Sequence, residues 1–242
     1  MIDIHSHIIF DIDDGAQSLE ESVILCRQAM DNGFDGIVAT PHFVDYRNIE
    51  NFVLERDSKL DILRERLIEE QIDITLYSGA ELFLSRGIFS AGDLDELTIN
   101  NSRYMLCEFP LDRFNVEDGL EEIDELIFRG YTPIVAHPER YYEVRRDYGL
   151  IERLLERGVV FQVNADSLAG NLDSTAQKIA VSLVKNGVAK FIASDAHDIH
   201  RRNMNFSKKF SKVPSEITQI DLITCFEKCP NAVINDEDIF DI

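Results

Sequence analysis

A parallel α/β barrel is the fold class predicted for this 242-residue chain, and three observations predict it. Seven short apolar runs rich in β-branched residues recur along the sequence. Helix-patterned segments separate most of them. Histidine, aspartate and glutamate stand repeatedly at the trailing ends of the runs. Regular alternation of strand and helix implies parallel strands with right-handed crossovers, and in such folds the polar residues that act gather at the carboxyl ends of the strands. Seven strands make a barrel one strand short of the eight-fold form; an open doubly wound sheet is the alternative.

The strands are expected near residues 2–6, 36–40, 73–78, 103–108, 132–136, 159–164 and 190–194, each a short apolar run. Helices are expected near 18–32, 49–70, 117–129, 148–157 and 173–186. The first carries a start signal, Ser18 with Glu21 three residues on, and Gly33 as its stop. Gly130, Gly158 and Gly187 occupy the same place after three later helices. Beyond Pro214 the pattern predicts one amphipathic packing helix and then an acidic end, Asp236-Glu237-Asp238, expected to be solvated. Nothing marks an internal boundary or a repeat, so residues 1–242 read as one domain.

Composition narrows the function. Hydrophobic residues make up 45% of the chain, an ordinary globular fraction, and no run approaches the roughly 18 apolar residues of a membrane span. The sequence opens directly on Met1-Ile2-Asp3-Ile4, without a basic segment before an apolar stretch, so the cytoplasm is the expected location. Cys26, Cys107, Cys225 and Cys229 form no CxxC pair, which fits reduced thiols. A net charge of −21 argues against nucleic acid, whose phosphates it would repel. Carboxylates clustered around bound cations would offset part of that charge.

Five of the six histidines lie in short motifs at the ends of the strand-like runs. His5-Ser6-His7 places two imidazoles on one face of a strand. Asp11-Ile12-Asp13-Asp14-Gly15 follows as a loop of three carboxylates. His42 ends the second run after Thr40-Pro41. Glu81 and Glu108 close the third and fourth apolar runs, where an unpaired carboxylate must find a cation or several donors. His137 precedes Pro138, which is expected to hold it extended. Asp195 and His197, in Ser194-Asp195-Ala196-His197, repeat the same-face spacing on the last strand. Each element taken singly has a structural explanation. Together, nitrogen and oxygen donors at equivalent strand ends are what a multinuclear divalent metal centre requires.

The opening HSH with its DDG loop, the TPH, the strand-three glutamate, the EFP, the HPER and the SDAH resemble the PHP (polymerase and histidinol phosphatase) superfamily. Within it the chain resembles the manganese-dependent protein-tyrosine phosphatases of bacterial capsule and exopolysaccharide loci, from residue 1 to roughly 205. The resemblance implies a distorted (β/α)7 TIM-like barrel with its site at the C-terminal ends of the strands. It implies three divalent ions, manganese by family although iron or zinc would suit the donors equally. His5, His7, Glu81 and Asp195 would hold one; Glu81 would bridge to a second with Glu108 and His137; Asp14, His42 and His197 would hold the third. Phosphotyrosine monoesters would be cleaved by a metal-activated hydroxide, with Arg140 and Arg202 gripping the phosphoryl group. Arg201 is adjacent, and the choice of Arg202 over it rests on spacing alone, which leaves both open. The implied partner is the tyrosine-rich tail of a cognate bacterial tyrosine kinase.

Three other readings compete. A histidinol-phosphate or other small-molecule phosphomonoesterase would use the same site. A phosphodiesterase is disfavoured by the acidic balance, and a non-catalytic PHP scaffold by the full set of ligands. Cys107 and Arg113 also match the C-x5-R spacing of cysteine-dependent phosphatases. The intervening Glu108-Phe109-Pro110-Leu111-Asp112 has no glycine and carries two carboxylates, so it would repel phosphate.

Overall fold

The computed structural model describes residues 1–44, 47–240 and 242. Its strands are β1 (Ile2–Ser6), β2 (Gly36–Ala39), β3 (His42–Phe43), β4 (Thr75–Ser78), β5 (Glu81–Phe83), β6 (Tyr104–Glu108), β7 (Thr132–Ala136), β8 (Val160–Asn164) and β9 (Ala189–Ala193). The helices are α1 (Leu19–Asp31), α2 (Ile49–Glu69), α3 (Val116–Phe128), α4 (Tyr142–Arg146), α5 (Gly149–Leu155), α6 (Ala165–Leu168), α7 (Ser174–Lys185), α8 (Phe206–Phe210), α9 (Gln219–Ile223) and α10 (Cys229–Ile234). All seven expected runs form strands and all five expected helices form, within two or three residues at each end. Ser18 caps α1 by accepting from the Glu21 N–H, and Gly33, Gly130, Gly158 and Gly187 all take positive φ just past a helix.

Every ladder is parallel, as the alternation requires, but the strands do not close into one continuous barrel. They divide into a three-stranded sheet, β1-β2-β4, and a six-stranded sheet, β3-β5-β6-β7-β8-β9. The division falls at two interruptions. Pro41, which has no N–H, separates β2 from β3, and Gly79-Ala80 separates β4 from β5. On the other side β1 meets the end of β9 through a single bridge between Ser6 and Ala196. There the buried Asp3 side chain stands in for a ladder, accepting from the Ser194 N–H at 3.0 Å and hydroxyl at 2.5 Å.

The strands bury both faces. One packs on the helices through residues such as Leu25, Leu63, Met105, Val135, Phe161 and Leu183. The other gathers Ile2, Ile4, Leu106, Ile134 and Phe191 with Cys229, Ala232 and Val233 of α10 and with Ile239. The three acidic residues are exposed, as expected of a solvated end, but the backbone that carries them is docked and not the frayed terminus also expected. Asp236 takes the Arg103 N–H at 2.9 Å, Tyr104 donates its hydroxyl to the Glu237 carbonyl at 2.7 Å, and Ile239 is fully buried. Charge pattern gives the exposure of these residues, and Ile239, the buried apolar residue that follows, anchors their backbone. The expected single tail helix is α9 and α10 joined through a π-helical turn over residues 224–228.

Candidate metal centre

Nine side chains converge at the carboxyl-end side of the strands, each brought there by its own backbone. His5 lies on β1 and His7 just past it, both fully buried. His42 opens β3 and Glu81 opens β5, and the two are register partners. Glu108 ends β6, His137 follows β7, and Asp195 and His197 follow β9. Asp14 comes from the loop after β1. Gly15 makes that loop possible: a Cβ there would sit 2.2 Å from the His7 carbonyl oxygen. Asp13 ties the loop down, accepting from His7 Nδ1 at 2.8 Å and from the His42 and Gly15 N–H groups at 2.9 Å each.

The distances knit these residues into one cluster. His5 Nε2 lies 3.2 Å from both His7 Nε2 and Glu81 Oε2. Glu81 Oε2 is 3.0 Å from His42 Nδ1, and Glu81 Oε1 is 3.0 Å from His137 Nε2. Glu108 lies 3.3 Å from His42 and 3.6 Å from His137. Asp14 Oδ1 is 3.4 Å from both His42 Nε2 and His197 Nε2. Three donor groups result, each with atoms within 4.8 Å of one another: His7-Asp14-His42-His197, His5-His7-Glu81 and His42-Glu81-Glu108. They share His7, His42 and Glu81.

Asp195 sits at the rim between the two arginines. Arg140 reaches its Oδ2 at 2.9 Å and Arg202 its Oδ1 at 2.5 Å. Arg201 is exposed, whereas Arg202 lines the cavity above the cluster, of about 390 Å³, with Arg140, Phe83, Phe109 and Leu111. The Asp198 carboxylate fixes this loop by accepting from the N–H groups of His200, Arg201 and Arg202. His137 departs from the extended geometry expected before proline. It adopts φ 34, ψ 53, left-handed backbone that costs about 1–3 kcal/mol in a non-glycine residue. Asp195 is also left-handed, at φ 51. Tyr141, donating to the Ala136 carbonyl at 2.7 Å, helps to hold the first of these turns.

The electrostatics are those of a strongly coupled polar core. Burial opposes charge on His5, yet the Glu81 and Asp195 carboxylates hold it up at about 9. His42 is raised, against its burial, by Asp14, Glu108 and Glu81. His197 moves down, through burial and the neighbouring His7. Glu81 and Asp195 are fully buried, which disfavours their charge, but His5 above all holds both well below the carboxylate range. His197 and His42 do the same for Asp14.

One observation tests whether a cation belongs here. Glu81 Oε2 and Asp195 Oδ1 are buried carboxylate oxygens on which no N–H is well aligned, although His42 Nδ1 lies 3.0 Å from the first and Arg202 2.5 Å from the second, a costly state that metal ligation relieves. Both point among imidazole nitrogens, and the mixed nitrogen and oxygen set suits manganese, iron or zinc.

Sequence reasoning passed over Gln162 and Asn164, whose side chains touch His5 and Asp195. The signal was present: Val-Phe-Gln-Val-Asn puts two polar residues two apart on a buried strand. The C-x5-R pair does not assemble. Cys107 is fully buried, with burial and then Glu81 pushing its thiol up, and Arg113 bonds Tyr142 at the surface.

A parallel α/β frame that collects histidines and carboxylates at its strand ends is the arrangement on which multinuclear metal hydrolases work. Residues 1–235 match the family described as capsular polysaccharide synthesis, CpsB/CapC, and the chain belongs to that family. CapC of Staphylococcus aureus is 34% identical over 212 residues, covering 87% of this chain and 82% of CapC. The tyrosine-protein phosphatase YwqE of Bacillus subtilis is 36% identical over 211 residues, covering 85% and 80%. A chain from the crystal structures of YwqE and Streptococcus pneumoniae CpsB, metal-dependent tyrosine phosphatases, superposes with a TM-score of 0.87 at 29% identity, covering 99% of this chain and 96% of that one. The resemblance carried by the motifs is borne out.

Proposed function

We propose that this chain is a metal-dependent protein-tyrosine phosphatase that hydrolyses phosphotyrosine monoesters at a centre of three divalent ions. The observation that carries the reading is the convergence of two fully buried carboxylates, Glu81 and Asp195, on five histidines. The relatives' activity supports the reaction class. By the family resemblance, His5, His7, Glu81 and Asp195 would hold one ion, Glu81, Glu108 and His137 a second, and Asp14, His42 and His197 a third. Manganese is the proposed metal.

Divalent ions supply Lewis acidity, which lowers the pKa of water and offsets charge on phosphoryl oxygens. The chain's own residues do the rest. Arg140 and Arg202 present guanidinium groups at the cavity rim, where they bind the equatorial oxygens of the phosphoryl group and favour the charge that builds there. Asp195 holds both arginines in that orientation. Tyrosinate leaves with a pKa of about 10, so no side chain is required as a strong general acid. The cavity above the cluster, of about 390 Å³, is the proposed seat of a phosphotyrosine side chain carried on a protein. Its proposed source is the tyrosine-rich tail of a cognate tyrosine kinase, met in the cytoplasm by a single domain spanning residues 1–242. No helix among the described residues is long and apolar enough to cross a membrane.

The test uses metal-stripped protein and a phosphotyrosine peptide, titrated with Mn²⁺, Fe²⁺ and Zn²⁺, with histidinol phosphate in parallel. Manganese should restore peptide turnover and His5→Ala should abolish it. No turnover with any metal would sink the reading. Turnover of histidinol phosphate alone would keep the site and replace the substrate.

A further inference from the structure

Behind the cluster, four buried side chains form a chain of hydrogen bonds that runs in one direction. His5 Nδ1 lies 2.8 Å from Gln162 Oε1. Gln162 Nε2 donates to Asn164 Oδ1 at 2.9 Å. Asn164 Nδ2 donates to Asp195 Oδ2 at 2.6 Å. None of the four is more than 6% exposed. The chain links β1 to the residues after β9 through the side chains of β8.

Its direction has chemical content. A carboxylate can only accept, so Asn164 must turn its amide nitrogen to Asp195 and its oxygen to Gln162. Gln162 must then donate to Asn164, which leaves its oxygen facing His5. That oxygen requires a proton on His5 Nδ1. His5 Nε2, 3.2 Å from Glu81 and 3.5 Å from Asp195 Oδ1, is thereby left as the nitrogen available to a cation. At the other end, Asn164 occupies Oδ2 of Asp195, which turns Oδ1 toward His5 Nε2 at 3.5 Å and Arg202 at 2.5 Å. Asn164 gives up a local role to do this. It is the N-cap of α6, a position where asparagine normally bonds the first turn, yet its side chain makes no cap bond.

We propose that Gln162 and Asn164 are positioning residues, which fix the ring orientation of His5, so that Nε2 and not Nδ1 is the nitrogen presented to a metal, and the orientation of Asp195. The proposal rests on the metal-centre reading above, since positioning has meaning only toward a bound ion. Outer partners of this kind typically govern metal affinity by about 10- to 100-fold. Gln162 presents a neutral acceptor to His5, whereas His7 meets the Asp13 carboxylate. The two imidazoles of one HxH motif are thus held by partners of different charge.

Calorimetric titration of metal-stripped protein with Zn²⁺ or Mn²⁺ tests the proposal without any activity assay. Gln162→Met matches the side chain in length and removes both hydrogen bonds. It should weaken metal binding about 10- to 100-fold, with metal-free thermal unfolding measured alongside to register packing separately. Folded Gln162→Met with affinity within twofold of the parent would overturn the proposal. The second measurement needs no variant: ¹⁵N-resolved spectra of the zinc-loaded parent should show a slowly exchanging proton on His5 Nδ1. A rapidly exchanging His5 ring proton would also overturn it. A parent that binds no metal would remove the reading beneath the proposal, an outcome distinct from a parent that binds and a variant that binds equally well.

Discussion

His42 and Glu81 are register partners at the starts of β3 and β5, and His42 Nδ1 lies 3.0 Å from Glu81 Oε2. The break in the sheets therefore does more than interrupt a ladder: it starts a new two-stranded pairing with a histidine and a glutamate opposite each other. Glu81 also reaches His5, His7 and His137, which gives it four imidazole neighbours, against three for Asp195.

Glu81→Gln should therefore cost more than an outer partner's 10- to 100-fold in metal affinity, because it removes an anionic ligand shared by several imidazoles. The same substitution should lower the pKa of His5, whose elevation comes first from Glu81 among its charged neighbours. Histidine titration by NMR reads the second effect, and calorimetry the first. An unmoved His5 would contradict the assigned coupling.

The metal-free protein should lose stability as pH rises through the window set by His5. Its folded value of about 9 lies above the ordinary 6.5. Protonated His5 thus stabilises the fold fully below pH 6.5, and this contribution is gone above pH 9. A shift of that size is equivalent to about 3 kcal/mol at most. Ligation needs neutral imidazole, so metal-loaded protein should show the opposite slope at the low end of the window. Urea unfolding on either side of the window, with chelator and with Mn²⁺, checks both signs.

Arg202→Lys should lower kcat/KM for a phosphotyrosine peptide roughly 100-fold, the usual effect of losing one oriented donor to developing charge. Lysine cannot reproduce a planar guanidinium. Arg201→Ala, at the exposed neighbour, should stay within about twofold, since surface changes away from such contacts do little. Equal losses in the two variants would count against Arg202.

Gly15→Ala should unseat the Asp14 loop, because the added Cβ meets the His7 carbonyl at 2.2 Å. A loss of more than about 1 kcal/mol is expected where the native backbone has no room for the new atom. Metal analysis should show reduced occupancy at equilibrium, since Asp14 joins His42 and His197 only through that loop.

Cys107→Ser should retain activity per folded molecule. The thiol donates to the Ile134 carbonyl at 3.6 Å, a bond a hydroxyl can also make, and it is buried away from solvent. Thiol alkylation of the native protein should leave turnover unchanged. Inactivation of both kinds would point to cysteine chemistry.

Periodicity and stop residues were enough to place every long strand and helix, since short apolar runs and glycine stops are local properties of the chain. Local pattern also marked candidate donors, since HxH and DxH put paired donors on one strand face and a lone glutamate closing an apolar run requires a partner, whereas the full set of nine, Asp14 included, followed from the family resemblance. What stayed hidden was non-local. The break at Pro41 and Gly79 depends on how neighbouring strands meet, and the seating of Ile239 depends on an apolar surface made by β1, β6, β7 and β9. The left-handed turn at His137 overrides the preference set by Pro138, because Tyr141 and the Arg140 N–H fasten the turn from the other side. Sequence by itself determined the alternation and the chemistry of the donors, because each follows from residues a few positions apart. Tertiary structure alone decided which donors share a partner, which of Arg201 and Arg202 faces the cavity, and that Gln162 and Asn164 join His5 to Asp195, because those contacts span up to 190 residues of chain, from His5 to Asp195.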